Sequence, residues 1–161
     1  MQLMRIGNAG RERPAVRDEQ GRYFDVSPLT SDIDGAFLAA AGVARVRAAL
    51  AGGELPEIEL WDSRIGSPIA RPMAVLCIGQ NYAAHAAESG AAPPERTILF
   101  FKHPNTVVGP YDDVTVPRGS SRTDWEVELG IVIGRRACYL TSTEEALKHV
   151  AGLVMEAAQT S

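Results

Sequence analysis

The sequence predicts an α+β fold dominated by a mixed or antiparallel sheet. Three observations carry that expectation: many short apolar runs of strand character, few stretches with helical spacing, and long polar turns between them. The chain has 161 residues, of which 45% are hydrophobic. A chain of this length, taken alone, buries roughly 70% of the surface its unfolded form exposes. Much of the apolar fraction is alanine, so the core is thinner than the percentage suggests. With 16 Lys plus Arg against 20 Asp plus Glu, the formal net charge is −4. No cluster of Lys and Arg supplies the field that nucleic acid or an anionic membrane requires, so the expected partners are small molecules. No apolar run approaches the ~20 residues that cross a bilayer, and the start, Met1-Gln2-Leu3-Met4-Arg5, lacks the layout of a secretion signal; a cytoplasmic location is expected. Cys77 and Cys138 are too few for a disulfide framework or a zinc site of their own.

Residues 1–70 read as a small α+β region with its own elements. Met1 to Ile6 and Ala15 to Val26 have strand character, and Asp18-Glu19-Gln20-Gly21 folds the second into a hairpin. Ile33, Phe37 and Ala41, then Val43, Val46 and Leu50, recur at three- and four-residue spacings. That predicts two short helices, broken near Gly42 and ended by Gly52-Gly53. Arg45 and Arg47 read as a solvated helix face. At Ser67-Pro68 to Arg71-Pro72 the texture changes to an extended linker, and 71–161 forms the second region.

In that second region Met73 to Ile78 is a buried strand ending in Gly79-Gln80-Asn81-Tyr82, and Tyr82 to Ser89 a short Ala-rich helix stopped by Gly90. Thr97 to Lys102 is the next strand, followed by short ones at Val107-Val108 and Val114 to Val116. Asp124 to Ile133 is the most informative strand. Thr141 with Glu144, or Ser142 with Glu145, opens a helix through a capping box, with Gly152 as its stop.

Along a strand side chains alternate between faces, so Trp125, Val127, Leu129, Ile131 and Ile133 share an apolar face while Glu126 and Glu128 stand together on the other. Their Cα atoms are expected roughly 7 Å apart. Two carboxylates at that separation can converge on one hard cation such as Mg²⁺ or Mn²⁺, which relieves their repulsion and prefers oxygen ligands. The same alternation also describes a solvent-facing Glu pair on an amphipathic strand. His85 and Glu88, three residues apart in the short helix, are neighbours on one face. A carboxylate beside an imidazole raises its basicity, as a general base needs, though such a pair is equally a surface contact. Lys102, at a strand end, can hold an anionic substrate group or simply reach for water. His103 and His149 have no such partner and read as structural or exposed.

Order and surroundings bring these pieces together. Cys77-Ile78-Gly79-Gln80-Asn81-Tyr82-Ala83-Ala84-His85-Ala86-Ala87-Glu88, Leu99-Phe100-Phe101-Lys102, Val108-Gly109-Pro110 and Asp124-Trp125-Glu126-Val127-Glu128-Leu129 with Val132-Ile133-Gly134, in that order, resemble the fumarylacetoacetate hydrolase family. The likeness is strong from about residue 71 to 152. The region before it resembles the small N-terminal part of ureidoglycolate lyase-like and hydroxyheptadienedioate isomerase-like members. The resemblance implies a mixed β-roll, a homodimer in the intact family, and Glu126 and Glu128 as two of three carboxylate ligands to Mg²⁺ or Mn²⁺. It also implies that His85 with Glu88 is an acid-base dyad, and that the substrate is a small 2-oxo acid or acylpyruvate reacting through a metal-stabilised enolate. Hydrolase, lyase and isomerase outcomes share that intermediate.

The C-terminal stretch departs from the family pattern. Where the family carries a third ligand, an Asp, this chain has Ala158; Glu156 lies two positions early. The strand begun by Gly152-Leu153-Val154-Met155 is expected to have almost nothing to pair with. These signs predict a fragment, truncated or frameshifted near residue 153, with weak activity or none, whose bare edges and apolar faces need a second chain to cover them. A non-catalytic remnant or interaction module is the alternative.

Overall fold

The computed structural model describes residues 1–82, 84, 90 and 94–160, the last three as backbone only. In chain order the first strands are β1 (Gln2–Ile6), β2 (Arg13–Arg17) and β3 (Tyr23–Asp25), followed by helices α1 (Gly35–Ala39) and α2 (Gly42–Ala51). Next come β4 (Glu57–Ile58), β5 (Ile65–Gly66), β6 (Val75–Gly79) and β7 (Ile98–Lys102). The remainder is β8 (Asp124–Ile133), a short helix α3 (Thr143–Leu147) and β9 (Val150–Thr160). Every ladder among the described residues is antiparallel, and helices are few, so the chain is α+β. No helix among them is long and apolar enough to cross a membrane.

The chain divides into two compact units, Met1–Ala70 with Gly109–Ser161, and Arg71–Val108. In the first unit, β4-β3-β2-β1-β5 form one sheet. Its apolar side chains and those of the two helices close a core in which Val16, Val26, Ile33 and Val46 are wholly buried with Phe24, Phe37, Leu38, Ala49 and Leu55 around them. The predicted turn joins β2 to β3: Asp18 accepts from the Arg22 N–H and Nε, and Gly21 takes the left-handed φ of 85°. The helix break at Gly42 has a steric cause. A Cβ there would sit 2.4 Å from the Phe37 ring, so only glycine lets α2 start against α1.

A partly buried ion network that no sequence pattern singles out ties this sheet to the chain after residue 108. Arg5 donates from Nε to Asp32 Oδ1 at 2.6 Å and from Nη2 to Glu12 Oε2 at 3.1 Å. Arg64 donates to the other oxygen of Glu12 at 2.8 Å and, with both arms of its fork, to Asp112. Asp112 also accepts from the Gly109 N–H at 2.6 Å. The turn is seated on β5 so closely that a Cβ on Gly109 would lie 2.2 Å from the Ile65 carbonyl oxygen.

Between β7 and β8 the structure differs from the sequence reading. Pro104–Thr106 is a 3₁₀ turn, and neither Val107-Val108 nor Val114–Val116 forms a strand. Apolar character there competes with Pro104, Pro110 and Pro117, which offer no N–H to a ladder, and with the Asp112-pinned turn. α3 opens as expected, Ser142 Oγ accepting from the Glu145 N–H, while the Glu145 carboxylate accepts from Thr141 N and Oγ1. It ends at Leu147, well before Gly152, which lies inside β9. Contrary to expectation, the strand through Gly152 has a partner along its whole length. β9 pairs with β8 from Ile133↔Val150 to Asp124↔Thr160, with one register shift between Val132 and Ile133. The long ladder overrides a glycine whose added Cβ would meet nothing. At the closed end of this hairpin, Val132 and Ala151 pack against the N-terminal core.

In the second unit β6 and β7 form a two-stranded ladder, Val75↔Lys102 to Gly79↔Ile98. The helix read from Tyr82 to Ser89 falls largely outside the described residues.

Candidate metal-binding and catalytic site

β8 delivers the two glutamates as its alternation requires. Glu126 and Glu128 lie on the half-buried face, in line with Gly130 and Val132, while Trp125, Val127, Leu129, Ile131 and Ile133 point the other way. The apolar face is the more exposed one: Trp125 keeps 68% of its surface and Ile131 58%. The carboxylates are therefore on the side of the strand that continues, through Val132, onto the core.

The register with β9 sets what faces them. Glu126 is opposite Ala158 and Glu128 opposite Glu156, so the position expected to carry a third carboxylate is paired with Glu126 and offers none. Glu128 instead meets a like charge across the ladder, an arrangement that destabilises unless a cation or distance relieves it. Gly130, next on that face, brings β9 close: a Cβ there would lie 2.6 Å from Val154 Cγ1, directly across the ladder. Sequence reasoning did not single out Gly130; a glycine in the middle of an otherwise bulky strand is the signal that would have found it.

Two carboxylates on one half-buried strand face suit Mg²⁺ or Mn²⁺, which commonly take one or two protein carboxylates and complete their shell with water and substrate oxygens. Among the described residues no three His, Cys, Asp or Glu side chains converge as a metal-binding group. The described residues fit a two-carboxylate site and not a three-carboxylate one.

The other predicted site residues lie in the second unit. His85 and Glu88 fall outside the described residues. Lys102 closes β7 opposite Val75 and is half-buried. Just before the predicted dyad, β6 runs out into Gln80, which takes a left-handed φ of 53°. A recess of about 240 Å³ is lined there by Ile78, Gly79, Gln80, Asn81, Pro94, Arg96 and Thr97. Arg96 was not among the residues the sequence singled out, because an isolated Arg in a Pro-rich loop has no periodicity to mark it.

Residues 74–158 match the family model for the fumarylacetoacetate hydrolase C-terminal domain. A protein of Burkholderia multivorans described as "Putative hydrolase" is 42% identical over 152 residues, which are 94% of this chain and 53% of that protein. The solved structure of fumarylacetoacetate hydrolase from Exiguobacterium antarcticum is 30% identical with a TM-score of 0.71, over 99% of this chain and 56% of that one. Maleylpyruvate hydrolase of a Sphingobium species, solved with manganese(II) and pyruvate, is 23% identical with a TM-score of 0.73, over 99% of this chain and 58% of that one; at that identity the likeness bears on the fold. The chain thus spans about half the length of the curated relatives and solved structures it matches. With more than half of its own residues inside the family match, it belongs to the fumarylacetoacetate hydrolase family.

Proposed function

We propose that this chain carries the first part of a divalent-metal-dependent active site acting on a small 2-oxo acid or acylpyruvate, on a β-roll that is a homodimer when intact. The observation that carries the reading is the placement of Glu126 and Glu128 together on the half-buried face of β8, with Trp125, Val127, Leu129, Ile131 and Ile133 on the other face. A cation held by these two residues, Mg²⁺ or Mn²⁺, would supply Lewis-acid stabilisation of the negative charge an enolate develops. His85, with Glu88 as its acid-base partner, would hold or move the proton at the carbon next to the carbonyl, or draw it from water. Lys102 supplies a counter-charge to the substrate carboxylate. Hydrolysis, C–C cleavage and isomerisation all begin from that deprotonation or hydration, so these residues fix the intermediate and leave the outcome to the rest of the pocket.

Ala158 opposite Glu126 predicts weak metal retention and low turnover by this chain alone. The same observation favours a second reading, a non-catalytic interaction module. The two are separated by assaying the purified chain against a panel of small 2-oxo acids and acylpyruvates, with and without Mn²⁺. Slow, metal-dependent turnover that Glu126→Gln and His85→Ala abolish is the expected result. Turnover at the buffer rate in millimolar Mn²⁺ rejects catalysis by this chain and leaves the module.

A further inference from the structure

The end of the β6–β7 ladder carries a feature that the chemistry proposed above leaves unused. The two strands meet there as the pair Gly79↔Ile98, and a Cβ on Gly79 would lie 3.1 Å from Ile98 Cγ2. That close packing fixes the points from which two loops leave. Gln80 turns the chain out of β6 at a left-handed φ of 53°, a conformation that a residue with a Cβ keeps only when its surroundings impose it. Arg96 and Thr97 lead into β7. The recess of about 240 Å³ is lined by the apolar Ile78 and Gly79 and by the polar Gln80, Asn81, Arg96 and Thr97. Arg96 is the one charged group among the described lining residues, and it has no hydrogen-bond or ion-pair partner among the described residues.

Given a 2-oxo acid reacting at His85, as proposed above, we infer that Arg96 binds a second carboxylate of that substrate in this recess and so determines specificity. A guanidinium offers a planar fork of N–H donors that matches the two oxygens of a carboxylate. The Thr97 hydroxyl and the Gln80 and Asn81 carboxamides supply further donors in the same lining. No carboxylate among the described lining residues opposes an anion. Reach places this second group at the far end of the substrate. Asn81 precedes His85 by four residues, and a stretch of that length spans no more than ~14 Å even when fully extended. Lys102 closes the same ladder at its opposite end, four residues along β7 from Ile98 and so roughly 13 Å away. The two cations therefore address different ends of a ligand. A substrate of a few carbons with a carboxylate at each end engages both, whereas one that ends in a methyl leaves Arg96 to water.

The test titrates the nitrogen-15-labelled chain, in metal-free buffer, with two 2-oxo acids of equal carbon number. 2-Oxoadipate ends in a carboxylate and 2-oxohexanoate in a methyl. The first is expected to shift the Arg96 Nε–Hε and the Gln80 and Asn81 side-chain amide resonances to saturation, and the second to leave them in place. Arg96→Gln weakens 2-oxoadipate binding at least about tenfold, and Arg96→Lys, which keeps the charge without the fork, by an intermediate factor. Unchanged amide resonances along Val75–Gly79 report that the ladder is still formed in both variants. Equal binding of the two probes, or an affinity for 2-oxoadipate that survives Arg96→Gln, overturns the inference. Because no metal is present, these results do not depend on whether Glu126 and Glu128 hold one. Mn²⁺-dependent turnover of 2-oxo acids without an Arg96-dependent preference for the second carboxylate keeps the reading of the active site and rejects the role of Arg96. Arg96-dependent binding of 2-oxoadipate by a chain with no turnover keeps the carboxylate site and rejects catalysis.

Discussion

The N-terminal region and the β8–β9 hairpin use similar apolar residues to opposite effect. Ile33 and Ile131 are the same side chain in two apolar segments; Ile33 is fully buried, whereas Ile131 keeps 58% of its surface. The difference lies in what crosses over them. Around Ile33, two helices and a five-stranded sheet are sequence neighbours and close on each other within about seventy residues. The hairpin has a complete ladder and a clean apolar face, but no layer above it among the described residues. Periodicity specifies which face wants burial; only topology supplies the cover.

The sharpest probe of that contrast is charge. Arg5 is buried between Glu12 and Asp32, so Arg5→Met removes the guanidinium that the two carboxylates share in the closed region. A loss on the order of 3–5 kcal/mol is expected in urea unfolding. Next in size is the paired truncation. Ile33→Ala should cost about 2–5 kcal/mol, the range for a large-to-small change in a packed core, and Ile131→Ala less than about 0.5 kcal/mol, as for an exposed position. Equal losses would show that the hairpin face is covered in the isolated chain. A smaller effect of the same kind comes from the glycines. Gly42→Ala drives a methyl into the Phe37 ring and should destabilise by about 1–3 kcal/mol. Gly152→Ala meets no atom within 4 Å and should be neutral or slightly stabilising in the same unfolding experiment.

The contrast also explains which parts of the structure could be read from the sequence. Local signals worked where one element decides its own form: the Asp18–Gly21 turn, the break at Gly42, the ten residues of β8 with Glu126 and Glu128 on one side. They failed where a remote partner decides. The Val114–Val116 run has strand composition but only prolines and a pinned turn around it, and Gly152 looks like a helix stop until β8 recruits it into a ladder. The Arg5–Glu12–Arg64–Asp112 network was invisible for the same reason, since its members are up to 107 residues apart and no spacing rule links them. For the site, the Glu pair was legible as a pattern, but that Glu128 would meet Glu156, and Glu126 the carboxylate-free Ala158, depends on a register that alternation alone does not fix.

That same network gives the mildest prediction, a pH dependence confined to the closed region. Burial pushes the Glu12 carboxyl up, but the Arg64 hydrogen bond, its backbone contact and the charges of Arg5 and Arg64 outweigh it and hold it below the usual range. Asp112 is held low chiefly by the Arg64 hydrogen bond, then by the Gly109 N–H, against a smaller opposing effect of burial. Both folded values thus lie below the unfolded ones. The stabilisation is complete above the ordinary carboxylate range and is lost as pH falls through the depressed folded values, so the tie to the Gly109–Asp112 turn should loosen below about pH 4. The Gly109 amide resonance, which reports its bond to Asp112, should titrate in that acid limb. In Arg64→Gln the same titration should move upward toward an ordinary aspartate, because the largest cause of the depression has gone; an unchanged midpoint would show that Arg64 does not set it.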